Sequence, residues 1–138
     1  MNWKKLILAF IAVYVVLVIT ELIIHAGLLG EGYRSIANQV FREPQDMKRW
    51  AFYVSGIIFA WMFVWIYSYG VQGKGVIEGF RYGIYVGIFY IIVNSMVIWS
   101  IIRIPTTLVW SWIILGLIQM IILGLVVGIV YRPKPIPQ

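Results

Sequence analysis

The sequence predicts an all-α protein: a bundle of four transmembrane helices, with a short interfacial amphipathic helix between the first and second spans. Composition is the first reason, because 62% of the 138 residues are hydrophobic and only 12% are charged, unlike a soluble domain. The second reason is that the charged residues gather between four long apolar runs. Each run also has about the 20 residues that a helix needs to cross the hydrocarbon core of a bilayer.

The four apolar runs lie at residues 6–29, 50–69, 76–102 and 106–131. They leave too little chain for a soluble domain, so we predict that residues 1–138 form one integral membrane domain. The short connection between the second and third runs predicts that these two spans are antiparallel neighbours. Lys4 and Lys5 imitate the start of a signal peptide, but the run that follows them is longer than a usual signal, and we interpret it as a retained span.

The longest hydrophilic segment follows the first run and contains an amphipathic pattern. Its apolar residues recur at helical spacing, and they are Tyr33, Ile36, Ala37, Val40 and Phe41. This spacing predicts a helix within residues 32–42 that lies in the membrane interface. Pro44 would end that helix.

The net charge of +6 predicts contact with lipid rather than with nucleic acid. The basic residues stand beside the ends of the spans, where they can bind anionic headgroups, and they form no separate basic surface. The side that holds both termini carries slightly more of them. By the positive-inside rule, this predicts that the N- and C-termini are cytoplasmic.

Cysteine is absent and histidine occurs once, which restricts the possible chemistry. No disulfide, thiol nucleophile or iron–sulfur cluster can form. A di-iron site would need two Glu-x-x-His motifs, and a haem held by two histidines would need a second histidine. We therefore predict no metal, no cofactor and no catalytic residue. The protein is not expected to be an enzyme, because a nucleophile, a base and an orienting group cannot be assembled.

Glu21 and His25 are the two ionisable residues inside the first span. They are four residues apart and so share one helical face. An ionisable group within a span is costly without a partner and is a candidate functional residue by default. Asn94 in the third span and Gln119 in the fourth are polar residues of similar depth, so we expect an intramembrane network of Glu21, His25, Asn94 and Gln119. Either the network only holds the helices together, or Glu21 binds a proton or a ligand.

Glycines recur at four-residue spacing in the third and fourth spans. The helix-packing positions are Gly75, Gly79, Gly83, Gly87, Gly124 and Gly128. This spacing lines up small residues on one face of a helix, where another helix can approach closely. It predicts helix contact, within the bundle or with a partner chain.

Several short motifs resemble those of a family of small four-span bacterial integral membrane proteins that has no established function. The motifs are Glu21-x-x-Ile24-His25, Tyr33, Trp50, Gly75…Glu78-Gly79-x-Arg81-x-Gly83 and Gly124-x-x-x-Gly128-x-x-Tyr131. The resemblance implies the four-span topology and a bacterial cytoplasmic membrane. It directs attention to Glu21, His25 and Arg81 and implies no activity.

These observations favour a non-catalytic accessory or scaffolding subunit of a larger membrane complex. Its partners would be the lipid bilayer and other membrane subunits, or a second copy of itself. It would pack through outward glycine-lined faces and its terminal segments. The alternative is a small proton-coupled transporter or channel, or a small-ligand-binding membrane protein, that uses Glu21 and His25. That alternative lacks the inverted repeats and interrupted helices typical of transporters.

Overall fold

The computed structural model describes residues 2–36, 42 and 45–131. Within these residues the protein is all-α and has no strand, and four helices are long and apolar enough to cross a membrane. The predicted fold class is therefore confirmed. The helices are span 1 (Trp3–Leu28), span 2 (Arg49–Gly70), span 3 (Val76–Ile101) and span 4 (Thr106–Val130). Their ends lie within three residues of the predicted ones.

Local sequence explains where three of the spans begin. The side chain of Asn2 caps span 1 by accepting a hydrogen bond of 3.3 Å from the backbone N–H of Lys5. Gly75 precedes span 3 with a φ of 68°, a left-handed conformation that side chains disfavour. Pro105 precedes span 4, and its carbonyl accepts from the N–H of Leu108 at 3.0 Å. Its ring cannot continue the helix of span 3, so the chain turns there.

Spans 1 and 3 each contain a π-helical segment, at Leu22–Leu28 and Gly87–Ile92. A π-helix has hydrogen bonds between residues five apart. At the end of the first segment, the N–H of Leu29 donates in this way to the carbonyl of Ile24 at 2.9 Å. Such segments are rare in proteins and often accompany functional sites. The π segment of span 1 begins directly after Glu21 and contains His25.

The spans pack in the spatial order 2, 1, 4, 3. Span 1 contacts spans 2 and 4, and the most extensive contact joins spans 3 and 4. The backbones of spans 2 and 3 stay farther apart than their short connection predicts. Aromatic side chains bridge them instead, and the hydroxyl of Tyr82 donates to the carbonyl of Phe63 at 2.7 Å. A cleft therefore remains between these two spans.

Two apolar clusters form the core. The larger joins spans 1, 2 and 4 and includes Leu6, Ala9, Val13, Val64, Leu123 and Val127. The smaller joins the end of span 1 and the start of span 4 and includes Ile24, Leu29, Ile36, Leu108 and Ile113. The second cluster places the chain after span 1 against span 4, which matters for the polar site described below.

The short helix after span 1 differs from the predicted one. It covers Gly30–Arg34, so it begins two residues earlier than expected. Ile36 is buried and Tyr33 is half-buried beside the second core cluster, so both side chains turn toward the bundle. Ser35, Ile36 and Arg42, which the predicted interfacial helix would include, are not helical. Residues 37–41 and the C-terminal segment from residue 132 lie outside the described residues.

The repeated glycines form a seam between spans 3 and 4. A Cβ added to Gly79 would overlap the carbonyl oxygen of Gly124 and come within 2.9 Å of the Cα of Gly128. A Cβ on Gly83 would overlap the carbonyl of Met120, and one on Gly87 would lie 2.9 Å from a methyl group of Leu117. The two glycine faces therefore cover one another. The expectation that they point outward to other chains is corrected.

Candidate functional site

Gln119 joins span 4 to the ionisable residues of span 1. It is buried and lies within about 2 Å of the midpoint of span 4, at about 1.5 Å of rise per residue. Its side-chain amide donates to Glu21 Oε1 at 3.1 Å and to Thr20 Oγ1 at 2.9 Å. The hydroxyl of Thr20 donates in turn to the carbonyl of Val16 at 2.8 Å. Glu21 is thus linked by its carboxylate to a buried side chain of span 4.

His25 extends this polar site toward the short helix. Its Nε2 lies 3.3 Å from Glu21 Oε2, and its Nδ1 lies 2.5 Å from the hydroxyl of Tyr33. The imidazole also stacks on the Tyr33 ring, with centroids 5.7 Å apart. From span 4, Trp112 donates its indole N–H to the same Tyr33 hydroxyl at 2.6 Å. The chain turn after Leu28 makes this contact possible.

The direction of these hydrogen bonds follows from Trp112. An indole N–H can only donate, so the oxygen of Tyr33 accepts from it, and the O–H of Tyr33 is then able to donate to His25 Nδ1. A neutral His25 with this acceptor carries its proton on Nε2, the atom that faces Glu21. Trp112, Tyr33, His25 and Glu21 therefore form a line of hydrogen bonds in which each residue donates to the next, and this line ends on the carboxylate of Glu21.

The protonation of Tyr33 is compatible with this direction. Burial raises the pKa of Tyr33 to about 12, the hydrogen bond from Trp112 acts in the opposite direction, and the charge of Glu21 adds to the rise. Tyr33 consequently keeps its proton at neutral pH and remains a donor to His25.

Glu21 and His25 also open onto the outer surface of the bundle. Their side chains are 49% and 44% exposed. Exposed apolar side chains of span 1 surround them, among them Leu22, Ile23 and Leu28. We call the surface formed by Glu21, Leu22 and His25 the polar flank. It places an ionisable pair at the side of a helix whose other surface residues suit lipid.

Asn94 does not join the predicted network. It is exposed on span 3 and makes no side-chain hydrogen bond within the part of the chain that the structure describes. The glycine seam explains this, because it attaches span 3 to span 4 on the side away from span 1. Glu21, His25 and Gln119 do come together. Asn94 is therefore removed from the site.

Thr20, Tyr33 and Trp112 also belong to the site, although the sequence did not indicate this role for them. Thr20 adjoins Glu21 in the sequence and was the easiest of the three to predict, since a hydroxyl beside an acid within a span is a natural partner. Trp112 lies where an aromatic belt at the membrane interface is expected, and this location alone explains a tryptophan there. The sequence therefore offered no reason to expect its hydrogen bond to Tyr33. Tyr33 was assigned to the interfacial helix.

Metal ligands are not clustered at this site. Among the described residues, no group of three or more His, Cys, Asp or Glu side chains comes together. Glu21 and His25 offer two such groups, and both already form hydrogen bonds within the chain.

The architecture defines the class of the protein as an integral membrane protein with four candidate spans. Comparison of the chain with protein-family models, with curated proteins and with solved structures gave no match.

Proposed function

We propose that the protein is a non-catalytic subunit that binds another membrane-embedded chain through the polar flank of span 1. Its place would be a bacterial cytoplasmic membrane, with both termini in the cytoplasm. The observation that supports this proposal is the exposure of Glu21 and His25, 49% and 44%, at the depth of a membrane span. The glycine seam is occupied within the chain, so the polar flank replaces it as the contact surface.

The cost of exposing an ionisable side chain to lipid favours a partner at this position. A charged residue at the centre of a span costs about 3 kcal/mol on insertion scales. Within the chain, Gln119 donates to one oxygen of Glu21 and His25 to the other. A carboxylate offers about four acceptor positions, so acceptor capacity remains on the exposed side. A neighbouring helix with a hydrogen-bond donor would use it.

The donors of this site favour a different chain over a second copy as the partner. His25 uses both ring nitrogens, one toward Glu21 and one toward Tyr33. The amide of Gln119 donates to both Thr20 and Glu21. A second copy would therefore present another acceptor-rich Glu21 with these donors already engaged. We propose a partner span that carries an amide, a hydroxyl or a cationic side chain.

Site-specific crosslinking tests this proposal, because the chain contains no cysteine and one introduced thiol is a unique attachment point. We would attach a photoreactive maleimide to Leu22→Cys, on the polar flank, and to Leu8→Cys as a control. Both leucines are exposed on span 1, at 62% and 59%. We expect a discrete protein adduct from Leu22→Cys in native membranes and none from Leu8→Cys.

If the crosslinked adduct depends on Glu21, the contact at the polar flank is specific. The adduct should weaken about tenfold when Glu21→Ala is combined with Leu22→Cys, in keeping with the loss of one hydrogen bond to a charged group. Its mass separates a different chain from a second copy. Equal adducts from both positions, or an adduct that persists with Glu21→Ala, would contradict the proposal.

A second candidate function is proton or ligand coupling through the same residues. The supporting observation is the continuous hydrogen-bonded line from Gln119 through Glu21 and His25 to Tyr33. Purified protein in liposomes with an internal pH indicator would test it. Proton entry that Glu21→Gln abolishes would favour coupling, whereas entry no faster than in empty liposomes would exclude it.

A further inference from the structure

The cleft between spans 2 and 3 contains two adjoining cavities of different character. One has a volume of 330 Å³ and lies near the connection between the spans, and the other has a volume of 390 Å³. Ile66, Tyr82 and Tyr85 line both, so the two cavities form one continuous groove. The groove exists because the backbones of spans 2 and 3 stay apart.

The first cavity is lined by three charged side chains with an excess of positive charge. Lys74 and Arg81 line it, and neither forms an ion pair among the described residues. The carboxylate of Glu78 lines the same cavity and accepts the backbone N–H groups of Gln72 at 2.5 Å and Lys74 at 3.0 Å. The three side chains leave a net charge of +1 at this end of the groove.

Tyr67 also lines this cavity, and its hydroxyl is buried without a partner among the described residues. Tyr67 is 3% exposed, and its hydroxyl forms no hydrogen bond within the described part of the chain. A buried hydroxyl without a partner has lost its hydration and gained no hydrogen bond in exchange, which is unfavourable. Its place in the cavity wall beside two cations indicates that an acceptor belongs there.

The second cavity is apolar and reaches the middle of the bundle. Its walls include Phe59, Met62, Phe63 and Phe89. Phe59 and Phe89 lie near the midpoints of spans 2 and 3, whereas Lys74 precedes span 3. The long side chain of Arg81 can extend toward the interface while its methylene groups stay in apolar surroundings. The groove therefore changes from cationic at the interface to apolar at mid-depth.

We propose that this groove binds one anionic phospholipid. The phosphate would lie between Lys74 and Arg81, with the hydroxyl of Tyr67 as a donor to the headgroup, and one acyl chain would follow the apolar cavity. Phosphate-type anions in water share the headgroup chemistry, but only a lipid also fills the apolar part. This site is separate from the polar flank on span 1 and does not depend on the proposed function.

Native mass spectrometry of the full chain released from mixed micelles tests the site, with phosphatidylglycerol and phosphatidylcholine as the lipid probes. We expect one retained phosphatidylglycerol and a clear preference for it over phosphatidylcholine. A basic residue near an anionic surface contributes about a fivefold change in affinity, so Lys74→Gln with Arg81→Gln should reduce the preference about 30-fold. The control, Lys4→Gln with Lys5→Gln, removes two charges outside the groove and should retain the preference.

Two further experiments distinguish a site for a lipid from a site for any anion. Ile66→Trp places a large side chain where the cavities meet and should prevent retention of both lipids, while the cations remain. Inorganic phosphate should not displace phosphatidylglycerol, because it gains nothing from the apolar cavity. Displacement by inorganic phosphate, an equal loss in the Lys4/Lys5 control, or unchanged retention in Ile66→Trp would each overturn the proposal.

Discussion

At the scale of single residues, Gln119 determines how Glu21 can exist inside a span. Its amide carries two donors, and the structure uses one for the carboxylate of Glu21 and one for Thr20. Replacing Glu21 by alanine would leave that amide partly unpaired in an apolar core. A single substitution of Glu21 or of Gln119 therefore leaves the other side chain without its partner, whereas the double substitution removes both. A double-mutant cycle separates the two effects.

We expect Gln119→Leu, Glu21→Ala and the double variant to give a coupling free energy of about 0.6–1.7 kcal/mol, from the average to the largest value for hydrogen bonds between membrane helices. Reversible unfolding in detergent would measure it. Gln119→Leu alone should destabilise the protein, because among the described residues the carboxylate would then keep His25 as its one donor. Additive single effects would show that the amide and the carboxylate do not interact.

Tyr33 gives a pH-dependent prediction with a defined sign. Its pKa is about 12 in the folded protein against 10.0 for an ordinary tyrosine, mainly because of burial. The neutral form is therefore favoured by folding, so this contribution to stability is complete below pH 10 and is lost as the pH rises toward 12. In an absorbance titration, Tyr33→Phe should reduce the tyrosinate signal that appears near pH 12 by the amount of one tyrosine.

The neighbours of Tyr33 should move that transition in opposite directions. Glu21→Gln removes a negative charge and should lower the pKa of Tyr33, whereas Trp112→Phe removes a donor to the tyrosinate and should raise it. Shifts of the same sign in both variants would show that the hydrogen-bonded line is assembled differently.

At the scale of helices, the glycine seam fixes the distance between spans 3 and 4. The Cβ of an alanine at residue 79 would overlap backbone, which cannot move aside as a side chain can. We expect Gly79→Ala to lower the free energy of unfolding by about 2 kcal/mol or more, since overpacking outweighs the helix propensity of alanine. Thermal unfolding in detergent would measure this loss.

Gly70→Ala is the matched control for the seam. Gly70 is the last residue of span 2, and a Cβ added there meets nothing within 4 Å. This variant should keep or raise stability by up to about 1 kcal/mol, the difference in helix propensity between the two residues. Equal losses in both variants would assign the effect to the backbone rather than to the seam.

The helices show which properties sequence can predict. Length and apolarity alone decide whether a segment can span a bilayer. All four spans, beginning with residues 6–29, were therefore predictable from the sequence. The spacing of Gly79 and Gly83, or of Gly124 and Gly128, marks a face for close contact but carries no information about what covers it. Asn94 was misassigned for the same reason, because depth along a span is readable from sequence and the direction of a side chain is not.

Long-range geometry also hid half of the polar site. Glu21 and His25 are four residues apart and were recognisable as a pair, and the central position of Gln119 suggested a partner. Tyr33 reaches His25 only because the chain turns after Leu28, and Trp112 reaches Tyr33 from 79 residues away. Such contacts depend on the packing of the second core cluster.

At the scale of the whole molecule, spans 2 and 3 depend on side chains for their contact. The hydroxyl of Tyr82 donates to the carbonyl of Phe63 at 2.7 Å across the cleft. We expect Tyr82→Phe to cost about 0.6 kcal/mol and to speed amide hydrogen exchange in span 2 about threefold. Tyr53→Phe, at an exposed position of the same span, should leave exchange unchanged.

The partner that Gln119 provides to Glu21 lies 98 residues later in the chain. Synthesis at about 5–20 residues per second places about 5–20 s between the two residues leaving the ribosome. During that interval the first span must reside in the bilayer with the acid and without the amide. A chain that stops before residue 119 never acquires the Gln119 amide. The carboxyl group of Glu21 in such a truncated molecule stays incompletely paired in the bilayer, whereas in the full chain it pairs with Gln119.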